Sequence, residues 1–81
     1  MLLPDKHIRI AESLLGLGTF VLEALRTPRT MDELWATLQR DVNDGTYPAH
    51  QTLENLVLSI DVLFAMGAVE MSDSGALQRC N

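Results

Sequence analysis

The sequence is poor in cysteine, aromatic residues and positive charge. Its single cysteine, Cys80, has no second thiol with which to form an intrachain disulfide, which favours a reducing compartment. Six Lys and Arg residues against eleven Asp and Glu give a net charge of −5, which disfavours nucleic acid and anionic membranes as partners. No apolar run approaches the roughly 20 residues that span a bilayer, and residues 1–6 become charged too early for a signal peptide. We therefore expect a cytoplasmic chain that makes no contact with a membrane.

Recurrent catalytic and metal-binding motifs are also missing. His7 and His50 have no cysteine or carboxylate at a common metal-ligand spacing, and no serine lies in a nucleophile-elbow context. The Gly16-Leu17-Gly18 stretch lacks the lysine and the third glycine of phosphate-binding loops. We therefore expect no enzymatic activity, no metal and no cofactor.

Hydrophobic residues, in contrast, are abundant, at 47% of 81 positions. The length predicts one domain over residues 1–81, and a domain this small buries only about 60% of the surface of its unfolded chain. Part of the apolar side-chain area should therefore remain exposed, and surplus apolar surface often marks a partner site.

Three segments have the apolar spacing of helices, namely residues 10–26, 31–42 and 53–66. Their inward-facing residues are expected to be Leu14, Leu17, Val21 and Leu25, broadened by Leu15, Phe20 and Leu22, in the first; Met31, Leu34, Trp35, Leu38 and Val42 in the second; and Leu53, Leu56, Val57, Ile60, Leu63 and Phe64 in the third.

The helix ends have recognisable signals. Thr30 and Glu33 have the spacing of a capping box, in which each side chain accepts a hydrogen bond from the other residue's backbone amide. Residues 43–45 (Asn-Asp-Gly) end this second helix and lead into a polar loop. Thr52 is the expected N-cap of the third helix, and Gly67 closes it in the left-handed conformation.

The C-terminal residues 68–80 predict a β-hairpin around the turn at 73–75 (Asp-Ser-Gly). The expected register places Met71 opposite Leu77 and Val69 opposite Arg79, with the three apolar residues on one face.

Pro4 favours an extended path before it, so residues 1–8 are expected to form an extended arm. An arm, three helices and a hairpin is the order of a winged helix-turn-helix, mainly α-helical with the hairpin as the wing. A plain three-helix bundle is the alternative, but it leaves the apolar residues of the hairpin without a role.

Many winged helices bind DNA through the third helix, and here that helix is unsuited to phosphate. No Lys or Arg occurs between Gln51 and Gly67, and residues 50–81 contain one arginine against four acidic residues. The turn of the wing is acidic as well. Because each phosphate contact normally needs a cation, we do not expect direct DNA binding.

Two segments are candidate partner-binding sites. Leu58, Asp61 and Val62 lie beside the core stripe of the third helix; this helix is either buried deep in the bundle or offers a groove or edge to a partner protein. The apolar arm with Leu2 and Leu3, followed by His7, either covers the domain's own core or donates a strand to a partner.

The chain resembles the middle component 6 family of prokaryotic three-component ABC ATPase systems. The matching segments are residues 3–8, 13–18, 29–35 and 58–70, so that the resemblance spans nearly the whole chain and is most specific in the last segment. No pattern is carried over for residues 41–51.

The resemblance implies a winged-helix-like subunit that links an SMC-like ABC ATPase to an effector in a bacterial anti-phage defence complex. Its partners would then be the ATPase, the effector or both. Two other functions remain open from the residues alone, namely a winged-helix transcriptional regulator that binds DNA and an antitoxin-like inhibitor with an acidic surface.

Overall fold

The computed structural model describes residues 5–46 and 51–80, with side chains from residue 12 onward. The elements in chain order are α1 (Asp5–Ala24), α2 (Met31–Asn43), α3 (Leu53–Ala65), β1 (Val69–Met71) and β2 (Leu77–Arg79). Three helices followed by an antiparallel two-stranded hairpin confirm the predicted fold class. The predicted loop around Tyr47 and Pro48 lies largely in residues 47–50, outside the described ranges.

The beginning of α1 corrects the sequence prediction. The helix starts at Asp5, five residues before the expected start, so residues 5–8 are helical rather than extended. Pro4 restricts the residue that precedes it and not those that follow, and no glycine or proline interrupts residues 5–10. The rest of the predicted arm, residues 1–4, lies outside the described residues. At its other end α1 stops at Ala24, two residues early.

The inner face of α1 carries Leu17 and Val21, both fully buried. The expectation that Leu15 broadens this face was wrong, because the Leu15 side chain is 74% exposed. A Cβ placed on Gly18 would lie 4.0 Å from Leu63 Cδ2. Gly18 therefore faces a side chain of α3.

α2 begins with the predicted capping box. The Thr30 hydroxyl accepts from the Glu33 amide at 3.2 Å, and the Glu33 carboxylate accepts from the Thr30 amide at 2.8 Å. Leu34 and Leu38 are fully buried, and Trp35 packs partly buried against the core. The helix ends one residue later than expected, and Gly45 follows it with a φ of 84°.

The hairpin has the predicted register, with Val69 opposite Arg79 and Met71 opposite Leu77. Gly75 adopts a φ of 86°, which is the left-handed conformation expected in the turn. Val69 and Leu77 are buried, whereas Met71 is 56% exposed. Met71 therefore contributes less to the core than the alternation of the strand predicted.

A backbone bridge between Arg29 and Leu77 ties the hairpin to the α1–α2 connection. The two residues exchange both hydrogen bonds, at 3.0 Å and 2.7 Å, so that β2 is paired on both of its edges. The Arg29 Nε also donates to the Ala24 carbonyl at 2.8 Å and so caps the end of α1. This third pairing segment between the first two helices agrees with the winged-helix-like order.

The core is a single cluster to which all three helices and both strands contribute. Its buried members are Leu17, Val21, Leu25, Leu34, Leu38, Leu56, Ile60, Leu63, Val69 and Leu77.

Candidate functional site

Both ends of α3 are closed by backbone and side-chain hydrogen bonds. At the start, the Thr52 hydroxyl accepts from the Asn55 amide at 3.1 Å. At the end, the Gly67 amide donates to the Phe64 carbonyl and the Ala68 amide donates to the Leu63 carbonyl. This pair of bonds is a Schellman motif, and Gly67 permits it with a φ of 73°. The predicted N-cap and C-terminal glycine are therefore confirmed, with Met66 as the cap rather than the last helical residue.

The inner face of α3 consists of Leu56, Ser59, Ile60 and Leu63. These positions have the i, i+3, i+4, i+7 spacing of one helical face. Ser59 is buried, and its hydroxyl donates to the Leu56 carbonyl at 2.9 Å, so no polar group is left unsatisfied there. Because its hydroxyl is hydrogen-bonded, Ser59 can occupy a buried position on the inner face of α3.

The outer face of α3 is apolar to an unusual degree for an exposed helical surface. We define it as Leu53, Glu54, Val57, Leu58, Asp61 and Val62, all of which are exposed. A shallow depression of about 380 Å³ opens between the first four of these residues, and its lining is mostly apolar. Phe64 and Met66 add further exposed apolar surface near the end of the helix. Contiguous apolar surface of this kind is typical of protein-binding sites.

Three of the six predicted partner-binding residues lie together on this outer face. Leu58 and Val62 are 48% and 47% exposed, and Asp61 is exposed beside them. His7 lies within α1, where the side chain is not described, and Leu2 and Leu3 fall outside the described residues. Of the alternatives left open for α3, burial deep in the bundle does not apply to these three positions.

Sequence reasoning missed Leu53, Val57 and Phe64, which it assigned to the core. All three are exposed. They lie on one flank of the inner face, and the centre of that face is displaced away from them because Ser59 takes a buried position. The spacing of the residues within α3 does not by itself select this inner face, because the side of the helix that turns toward α1 is set by tertiary contacts.

The charge of the outer face is negative. Glu54 and Asp61 are exposed, and neither carboxylate has a hydrogen bond or ion pair with any residue in the described ranges. A separate depression of about 320 Å³ lies at the end of α1, and two positively charged residues, Arg26 and Arg79, line part of it. The two depressions share no residue.

Cys80 carries a partly buried thiol that contacts the carboxylate of Glu70. Partial burial raises the pKa of its thiol, and the hydrogen bond from Sγ to Glu70 Oε1 at 3.4 Å raises it further. Because the thiolate is the reactive form, these contacts suppress nucleophilic reactivity near neutral pH.

Within the ranges 12–46 and 51–80, no three His, Cys, Asp or Glu side chains come together in a way that would hold a metal ion. The helices over the same part of the chain include none with the length and apolar character required to cross a bilayer.

A family model matches the chain. The family model described as ABC-three component (ABC-3C) system Middle Component 6 matches residues 3–80, which is nearly the whole chain. No curated protein matches the chain, and no solved structure does.

Proposed function

Because the chain belongs to the ABC-three component system middle component 6 family, we propose that it is a non-catalytic adaptor subunit of such a system. In this proposal it holds an SMC-like ABC ATPase and an effector together in a bacterial anti-phage defence complex in the cytoplasm. The family assignment supports a role inside a multi-component assembly, where a small subunit acts by contacting other proteins.

The observation that carries the proposal is the outer face of α3. The exposed side chains Leu53, Val57, Leu58 and Val62 are not needed to close the core, which the inner face of the same helix already does. Exposed apolar side chains favour association, because a partner that covers them removes about 25 cal/mol of unfavourable hydration per Å². A protein partner would supply that cover.

Electrostatics favours a protein partner over nucleic acid at this face. Glu54 and Asp61 lie on it, and no Lys or Arg occurs from Gln51 to Gly67. A duplex approaching α3 would meet two carboxylates and no cation, while counterion release requires cations on the protein. The winged-helix-like order would therefore be used here for protein contact.

The test is reconstitution of the complex from purified or co-expressed subunits. A tagged ATPase subunit is captured with the effector subunit, with and without this chain, and the eluted proteins are quantified. We expect the effector to elute with the ATPase only when this chain is present. Co-elution of ATPase and effector without it, or failure of the chain to bind either subunit, would show that it is not the adaptor.

A titration with duplex DNA addresses the alternative function of a transcriptional regulator. We expect no sub-micromolar binding by the isolated chain at physiological salt. Binding of that strength, with an affinity that falls steeply with salt, would favour the regulator.

A further inference from the structure

The side chains on the outer face of α3 form ridges with a groove between them, as on a surface that binds another helix. The residues of this face form two rows with a spacing of four: Leu53, Val57 and Asp61 make one, and Glu54, Leu58 and Val62 make the other, which the C-cap residue Met66 extends. Rows of this kind are the ridges of a helix surface, and the groove between two ridges accepts a ridge of another helix. The depression of about 380 Å³ lies at the start of this groove.

The groove is apolar in its middle and has a negatively charged side chain on either side of that middle. Val57 and Leu58 occupy its middle, and Glu54 and Asp61 lie on either side of them along the helix axis. The two carboxylates are seven residues apart, which is roughly 10 Å along the axis. An apolar centre between two charged groups is the arrangement in which central contacts supply affinity and the charged rim supplies orientation.

From this arrangement of ridges and charges we propose that the outer face of α3 binds one amphipathic α-helix of a partner subunit. The bound helix places an apolar ridge against Val57 and Leu58 and presents a Lys or Arg to Glu54 and another to Asp61. Ridge-into-groove packing of two such rows sets a crossing angle of about 50° and an axis separation of about 8–10 Å. The proposal rests on the adaptor function, and it names the chemistry of one partner segment.

A second copy of this chain is a poorer occupant of the face. If two α3 helices paired in parallel, Glu54 would face Glu54 of the other copy. If they paired antiparallel, Glu54 would face Asp61. Like charges in contact are unfavourable, and α3 contains no cation to offset them.

An extended strand is a poorer occupant as well. A strand binds chiefly through backbone hydrogen bonds to an open sheet edge. From Asn55 onward the amides of α3 are paired with the Thr52 cap or within the helix, so most of the outer face offers side chains only. A helix, whose own backbone groups are already paired, suits such a surface.

The first arm of the test uses two matched pairs of variants. Leu58→Glu is compared with Leu15→Glu, which alters an exposed leucine on α1, and Asp61→Lys is compared with Asp73→Lys, which alters an exposed aspartate in the hairpin turn. Affinities for the purified ATPase subunit and the purified effector subunit are measured by calorimetry. We expect Leu58→Glu and Asp61→Lys to weaken binding to one of the two subunits at least tenfold, and both controls to remain within about twofold.

Folding is checked for each variant by circular dichroism. Asp61→Lys keeps the test decisive if Leu58→Glu unfolds, because the Asp61 carboxylate is exposed and has no hydrogen bond with the described residues.

The second arm identifies the occupant. Hydrogen exchange on the complex should show a protected segment in the partner that is helical and carries the required Lys or Arg, and Lys→Glu or Arg→Glu at that position should restore binding of Asp61→Lys. Protection of a partner strand, or self-association of the chain that Leu58→Glu abolishes, would overturn the proposed occupant. Wild-type binding that neither α3 variant weakens would overturn the site while leaving the adaptor function intact; absence of wild-type binding would overturn the function itself.

Discussion

α2 and α3 are both 13 residues long and have similar ends, yet their outer faces differ. Each helix has a threonine N-cap, and each is followed by a glycine with positive φ. The outer face of α2 carries Asp32, Glu33 and Arg40, as expected for a solvated surface, whereas the outer face of α3 is mostly apolar. Folding explains the ends and inner faces of both helices. The inner face of α3 already closes the core without the apolar outer face, and this outer face is therefore the part that we propose for binding.

The largest expected effect separates the two faces of α3. Leu56→Ala should lower the free energy of unfolding by about 2–5 kcal/mol, because it leaves a cavity at a fully buried position. Leu58→Ala, the matched change on the outer face, should cost no more than about 1 kcal/mol. Urea unfolding followed by circular dichroism measures both. Equal losses would mean that Leu58 belongs to the core, and the contrast between the faces would not hold.

The N-caps should show where the two helices are alike. Thr30→Ala and Thr52→Ala each remove a hydroxyl that accepts an amide hydrogen bond at the first turn. Each change should lower the free energy of unfolding by about 1 kcal/mol. Thr→Ser at the same positions keeps the hydroxyl and serves as the control. A large loss at one cap with none at the other would contradict the view that the two ends are equivalent.

The smallest expected effect is a dependence of the stability on pH, which comes from carboxylates at the two ends of α2. Hydrogen bonds from the Thr30 backbone amide and then from its hydroxyl lower the pKa of Glu33, and hydrogen bonds from the Thr46 hydroxyl and then from its amide lower the pKa of Asp44. A lowered folded-state pKa gives stability that is fully present above the unfolded value, about 4.3 for Glu and 3.9 for Asp, and is lost as pH falls through the folded value.

Unfolding midpoints in urea between pH 7 and pH 3 measure this effect. Glu33→Gln should lower the midpoint at pH 7 and reduce the difference between pH 7 and pH 3. Glu54→Gln removes a first-turn carboxylate of α3 that makes no capping bond, and it serves as the control. A larger reduction with Glu54→Gln would place the acid-sensitive contact in α3 instead.

Local signals in the sequence predicted the elements well where a residue type has one structural use. The spacing of Thr30 and Glu33 predicted the capping box, and Gly67 and Gly75 predicted two left-handed positions, because few other residues adopt that conformation without strain. The register of the hairpin followed from its turn. The family resemblance, confirmed over residues 3–80, came from longer stretches of the same sequence.

What could not be predicted depends on contacts between distant residues. The backbone pairing of Arg29 with Leu77 has no local signal, because a single paired residue in a connection has no period. The exposure of Val57 depends on which side of α3 turns toward α1, and the buried Ser59 shifted that side. The candidate site was therefore only half assembled from the sequence: Leu58, Asp61 and Val62 were proposed, and their neighbours Leu53 and Val57 were assigned to the wrong face.

The pairing of Arg29 with Leu77 also has a kinetic consequence. It joins residues that lie more than half the chain apart, so it raises the relative contact order above that of a bundle of three helices. Loop-closure entropy is lost before such a contact forms, which slows the step that makes it. We therefore expect the docking of the hairpin onto the α1–α2 connection to be slower than the packing of the helices on one another.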